Sequence, residues 1–135
     1  MEISAIRVLV AEDFVLFQEF IRSKLSQRPD LRIICEVRDG LEAVQKAVGL
    51  KPDLILLDIG LPKLNGIAAA RQIRNFSPKS KIIFVSQESS PDIVQEALSL
   101  GTCGYVVKTK AESDLLAAVD AVVEGRQFLS YGLSG

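Results

Sequence analysis

The chain has 135 residues, 48% of them hydrophobic and 24% charged, which suits one compact domain with a sizeable core and argues against disorder. Sixteen basic against 17 acidic side chains leave a formal net charge of −1, so nothing in bulk electrostatics draws it to DNA, RNA or an anionic membrane. It contains no histidine, which removes Ser-His-Asp and Cys-His catalysis and the common zinc sites, and assigns any phosphohistidine chemistry to another protein.

Taken in chain order, the apolar run Ile6–Ala11 reads as a first strand. Leu16, Phe17, Phe20, Ile21 and Leu25 follow at helical spacing, in a helix that ends before Pro29. A second strand is expected over Ile33–Val37. Asp39 with Glu42 then forms a capping box that opens a helix over Leu41–Val48. Leu54–Leu57 is a third strand, followed by a weakly patterned helix from Gly66 to Arg74, and Ile82–Val85 is a fourth. Ser90-Pro91 supplies a cap and an N1 proline for a helix carrying Ile93, Val94, Ala97 and Leu98, which Gly101 stops. Tyr105–Val107 is the fifth strand. Thr109 and Glu112 read as a capping box for a last helix through Leu115, Leu116, Val119, Val122 and Val123, closed by Gly125.

The strands barely alternate, as parallel strands covered on both faces do. Strict β-α alternation therefore predicts a doubly wound α/β domain, a five-stranded parallel sheet of order 2-1-3-4-5 flanked by five helices in the flavodoxin-like arrangement. Cys35 and Cys103 share no metal-like spacing and are expected as reduced thiols of a cytoplasmic protein. Glu2 and Arg7 interrupt the start, so no signal peptide is expected, and no apolar run reaches the length of a membrane span.

In such folds ligands bind beyond the carboxyl ends of the strands. Strand 1 ends in Glu12-Asp13, strand 3 in Asp58, strand 4 in Ser86 and strand 5 in Lys108, and the strand order gathers them in one crevice. Three crowded carboxylates call for a hard divalent cation, and Mg2+ uses one or two carboxylates, waters and phosphate oxygens. Metal, Lys108 ammonium and Ser86 hydroxyl suit the three equatorial oxygens of a phosphoryl group, and a central carboxylate can be the nucleophile that forms an aspartyl phosphate. Each residue alone has a bland reading: Asp13 as a helix cap, Glu12 and Lys108 as solvated charges, Asp58 as a loop cap, Ser86 as a helix entry. The set as a whole points to chemistry.

The blocks Val-Leu-Val-Ala-Glu-Asp (8–13), Asp-Leu-Ile-Leu-Leu-Asp-Ile-Gly-Leu-Pro-Lys-Leu-Asn-Gly (53–66), Ser86 and Gly-Tyr-Val-Val-Lys (104–108) resemble the receiver domain of two-component response regulators, over essentially the whole chain. The resemblance implies Asp58 as phosphoacceptor and Asp13 as a direct Mg2+ ligand. Glu12 would act through water, and the Gly60 backbone carbonyl would complete the protein's share of the metal shell. It further implies Ser86 and Lys108 on the phosphoryl oxygens, and Tyr105 as an aromatic that swings inward when Ser86 moves.

Residues 116–130 are similar to the NarL/FixJ subfamily, whose output is a LuxR-type helix-turn-helix. The expected organisation is a receiver over residues 1–128 and a tail over 129–135 that begins a linker to an absent DNA-binding domain, the chain being excised rather than stand-alone. A sensor histidine kinase is the implied partner, and a homodimer on phosphorylation is left open. Thr109 stands where many receivers have proline, so the Lys108–Thr109 peptide is expected trans. Gln87 stands where a small residue is usual, and Gln87, Glu88 and Gly60 are expected to tune rates. Competing readings are weaker. A flavin or nucleotide binder needs a glycine-rich phosphate loop where Glu12-Asp13 stand, and an Asp-nucleophile hydrolase needs an acid where Gly60 stands. A degenerate receiver serving as an unphosphorylated docking module is the runner-up.

Overall fold

The computed structural model describes residues 5–130. Strands β1 (Ile6–Ala11), β2 (Leu31–Val37), β3 (Leu54–Leu57), β4 (Lys81–Ser86), β5 (Gly104–Val107) and β6 (Phe128–Leu129) form one sheet of order β2-β1-β3-β4-β5-β6. Every neighbouring pair is parallel. Helices α1 (Val15–Leu25), α2 (Gly40–Leu50), α3 (Gly66–Phe76), α4 (Pro91–Ser99) and α5 (Ala111–Val123) supply the crossovers that parallel pairing demands.

Two apolar layers explain why the strands read as continuous hydrophobic runs. Leu9, Ala11, Ile55, Leu57, Ile82, Phe84, Tyr105 and Val107 point to the side covered by α2, α3 and α4. Their sequence neighbours Val8, Val10, Leu54, Leu56, Ile83, Val85 and Val106 pack under α1 and α5. Two ion pairs, Lys24–Glu112 at 2.8 Å and Arg28–Asp120 at 2.5 Å, link α1 or the turn after it to α5. Cys35 and Cys103 are both free thiols and partly buried. Among the described residues no helix is long and apolar enough to cross a membrane.

The caps divide. Asp39 accepts from the Glu42 N–H at 2.8 Å and opens α2 as expected, and Asn65 does the same for α3 through the Ala68 N–H at 2.9 Å. Gly101 (φ +76°) and Gly125 (φ +87°) follow α4 and α5 in the left-handed region that their lack of a Cβ permits. The Thr109–Glu112 box does not form. Lys108–Lys110 make a single 3-10 turn, and α5 starts at Ala111 without a side-chain cap. The Glu112 carboxylate is instead committed to Lys24. Ser90 precedes α4, but its hydroxyl makes no cap bond, so that start rests on Pro91 at N1 and on the acidic Asp92 in the first turn. No described peptide bond is cis, and Lys108–Thr109 is trans.

The sheet has one strand more than expected. Phe128 and Leu129 pair in register with Gly104 and Tyr105, so the chain returns from α5 to close the β5 edge. Ser130 is buried: its N–H donates to the Tyr105 carbonyl at 3.0 Å, and its Oγ accepts from the Val107 N–H at 3.1 Å. Leu129 and Ser130 therefore belong to the folded unit, and only residues 131–135 of the expected tail lie outside the described residues.

Removing the Ser130 hydroxyl leaves a strand N–H buried without a partner, at a cost of roughly 1–3 kcal/mol. Ser130→Ala should lower urea-unfolding stability by that amount and speed hydrogen exchange at the Val107 amide. Unchanged exchange there would contradict the tie.

Candidate functional site

The carboxyl ends of β1, β3, β4 and β5 face one cleft of about 210 Å3, lined by Asp13, Phe14, Asp58, Gly60, Ser86, Gln87, Glu88 and Lys108. Glu12 sits immediately behind it, 1% exposed. One oxygen from each of Glu12, Asp13 and Asp58 lies within 4.8 Å of the others. Such an all-oxygen donor set matches a hard divalent cation such as Mg2+ and would not select a thiolate-seeking metal.

The three acids are held differently. Glu12 Oε2 accepts from the Phe14 N–H at 3.0 Å, which occupies the N-terminal turn of α1 and leaves Asp13 free of capping duty. Asp13 is exposed and, among the described residues, makes no hydrogen bond or ion pair. Burial pushes the Glu12 carboxyl above its ordinary value, and the neighbouring Asp58 charge adds to that, against the opposing pull of Lys108 and the Phe14 N–H.

Asp58 is buried, and its loop is clamped from below. The Asp58 N–H donates to Ala11 O at 3.1 Å, and the Gly66 N–H donates to Ile59 O at 2.7 Å. A Cβ on Gly66 would lie 2.1 Å from Asp58 O, so only glycine lets α3 start this close under the acid. At Gly60 a Cβ would meet nothing within 4 Å, which leaves the approach to Asp58 open on that side.

Lys108 reaches into this cluster from the end of β5. Its Nζ donates to Asp58 Oδ2 at 3.2 Å and lies 2.8 Å from Glu12 Oε1, the latter an ion pair without hydrogen-bond geometry. It also stands 4.7 Å from the centre of the Phe17 ring. The expected assembly of Glu12, Asp13, Asp58 and Lys108 in one crevice is thus present.

The model for the response regulator receiver domain matches residues 8–120. This chain belongs to the response-regulator receiver family. It is 30% identical over 124 residues to the transcriptional regulatory protein DegU of Brevibacillus brevis, covering 92% of this chain and 52% of that protein. It is also 30% identical over 127 residues to the nitrate/nitrite response regulator protein NarL of Escherichia coli K12, covering 94% and 59%. A LuxR-family response regulator from Aurantimonas sp. SI85-9A1 superposes with a TM-score of 0.90 at 27% identity, covering 96% of this chain and 93% of that one. The chain spans about half the length of the curated relatives.

Across the cleft of this receiver, Ser86 and Tyr105 are joined through one residue. The Glu88 N–H donates to Ser86 Oγ at 3.2 Å, and the Tyr105 hydroxyl donates to the Glu88 carbonyl at 2.7 Å. Tyr105 is fully buried, with its ring 6.0 Å from Phe84, rather than half-exposed as a strand aromatic could be. Gln87 lies between these contacts, exposed on the cleft rim. The sequence does not single out two aromatics at the site. Phe14, which lines the cleft, carries no periodic signal, and Phe17, which meets Lys108 rather than the cleft, reads as part of the apolar stripe of α1 although it stands one helical turn past Asp13.

Burial, followed by the charges of Glu88 and Asp58, pushes the Tyr105 hydroxyl up to about 12. A raised folded-state value means Tyr105's contribution to stability is complete below the unfolded value near ~10 and is lost as pH rises through 12. In a Tyr131→Phe background, alkaline absorbance titration should therefore give a midpoint near 12. An ordinary midpoint would contradict the buried, bonded placement.

Proposed function

We propose that this receiver domain is a phosphorylation-dependent signalling switch, accepting a phosphoryl group on Asp58 from the phosphohistidine of a sensor histidine kinase. The observation that carries this reading is the Lys108 ammonium at 2.8 Å from Glu12 and 3.2 Å from Asp58, beside the free carboxylate of Asp13. That arrangement would put a carboxylate nucleophile, a compact cation and an oxygen-lined cation site in one cleft.

Asp13 and Asp58, with the Gly60 carbonyl, are the groups that would hold Mg2+, and Glu12 would act on it through water. Bound there, Mg2+ would supply positive charge against the negative charge that gathers on the transferring phosphoryl oxygens. An Asp58 oxygen attacks phosphorus, the P–N bond to the kinase imidazole breaks, and the bonding pair leaves with the imidazole. Lys108 shifts from its two carboxylates onto one phosphoryl oxygen. The Ser86 hydroxyl, which accepts from the Glu88 N–H, turns to donate to another.

That rotation releases the Glu88 N–H while Tyr105 still holds the Glu88 carbonyl, so the loop before α4 is drawn by both residues. The result is a population shift in the face made by α4, β5 and α5. Its reader would be a dimer mate or a helix-turn-helix domain beyond residue 135, through which alone DNA would be contacted. The setting is cytoplasmic signalling. The domain turns over no external product and catalyses only its own phosphorylation and dephosphorylation. Gln87, Glu88 and Gly60 flank the acceptor and would set the lifetime of the phosphorylated state.

Incubation with Mg2+ and acetyl phosphate should add one phosphoryl mass to the wild type and none to Asp58→Asn. Lys108→Ala should accept about 100-fold more slowly, the scale of losing one preorganised charge partner. A folded wild type that gains no mass and binds no beryllofluoride would leave the unphosphorylated docking module as the better reading.

A further inference from the structure

The Lys108 ammonium touches two carboxylates and one aromatic ring, and the ring is the part that the acceptor chemistry does not explain. Phe17 lies on the first turns of α1, with its centroid 4.7 Å from Nζ. Its own position is set from behind: the Phe20 ring stands 5.2 Å away, and both rings pack on the layer of core beneath α1 and α5. The Lys108 side chain is 8% exposed, so water does little to screen the attraction between the ammonium and the ring face.

We infer that Phe17 is a positioning residue for Lys108, holding the ammonium at the cleft by a cation–π contact while its carboxylate partners change. The inference rests on the phosphoacceptor reading above. Before transfer, Lys108 is tied to Glu12 and Asp58. Glu12 and Asp58 both belong to the acidic cluster that a divalent cation would use, so a cation bound there would offset their charge and weaken both ties. An ammonium released from two anions would ordinarily extend on its four-carbon stem into solvent. The ring offers attraction without competing for the metal, since its π face is no ligand for a hard cation. Lys108 therefore stays within reach of the position where a phosphoryl oxygen arrives. An aliphatic side chain at 17 would fill the same space and provide the packing but not the retention.

The test separates retention from packing. Phe17→Leu keeps apolar volume and removes the ring; Phe17→Met is a second, more adaptable filler; Phe17→Tyr keeps the face. For each variant of the 135-residue chain, calorimetry gives affinity for Mg2+ alone, then for beryllofluoride at saturating Mg2+. Loss of a desolvated cation–π contact predicts beryllofluoride affinity lowered roughly 5- to 30-fold in the Leu and Met variants. Mg2+ affinity should stay within about twofold, and Phe17→Tyr should restore beryllofluoride binding to within about threefold of wild type. Lys108 Nζ proton resonances should carry an upfield ring-current shift in wild type and Phe17→Tyr that disappears in the other two. Equal beryllofluoride affinity in all four proteins overturns the inference. So does a loss shared by Mg2+ and beryllofluoride, which is the signature of a packing residue alone. If wild type binds Mg2+ but no beryllofluoride, the phosphoacceptor reading fails first, and the role of Phe17 falls with it.

Discussion

The structure turns on one electrostatic problem, the crowding of Glu12, Asp13 and Asp58 at the ends of β1 and β3, and on its present solution, the Lys108 ammonium. Parallel pairing of β1 with β3 brings the acids together, because both strands run to the same rim with Ala11 opposite Leu57. Glu12 cannot relax into solvent, being 1% exposed. Left alone, such a cluster would draw protons or push its members apart. One lysine, just past the end of β5, compensates two of the acids and leaves Asp13 uncommitted. A cation bound by the acids and an ammonium shared between them are alternative means of offsetting the same charge, so gaining one frees the other.

The rest of the fold holds that cluster in place. The Gly66 approach under Asp58 and the Gly40 N–H on the Pro62 carbonyl, 3.2 Å long, fix the loop that carries Asp58. Strand β5 does three jobs in four residues. It leads directly into Lys108, it carries Tyr105 inward to the Glu88 carbonyl, and its edge is closed by β6 and Ser130. Ser130, the last described residue, is therefore hydrogen-bonded to the backbone of the same residue whose side chain meets the loop after β4. In the proposed switch, this places the start of any downstream segment one hydrogen bond from Tyr105.

Much of this was legible because the strand cores are short apolar runs punctuated by chemistry-bearing residues, and parallel order alone then gathers Glu12, Asp13, Asp58, Ser86 and Lys108. The Asp39 cap was legible because a capping box is a local signal. The features that escaped are set by tertiary partners. Glu112 left its expected box because Lys24, far away in sequence, offered an ion pair. Phe128-Leu129 is too short to announce itself as a strand and exists because β5 presents an open edge. Phe17 obeys helical periodicity, and periodicity cannot tell a ring that fills core from one that also faces an ammonium. The depth of Tyr105 likewise depends on the Glu88 carbonyl waiting for its hydroxyl.

The central claim is that Lys108 exchanges carboxylate partners for a phosphoryl group on Asp58. A crystal structure of the chain with Mg2+ and beryllofluoride tests it most directly through the position of Lys108 Nζ. The account predicts beryllium bonded to an Asp58 oxygen, Mg2+ among Asp13, Asp58 and the Gly60 carbonyl, and Nζ moved from Glu12 onto a fluorine. Nζ still between Glu12 and Asp58, with no beryllium on Asp58, would contradict it.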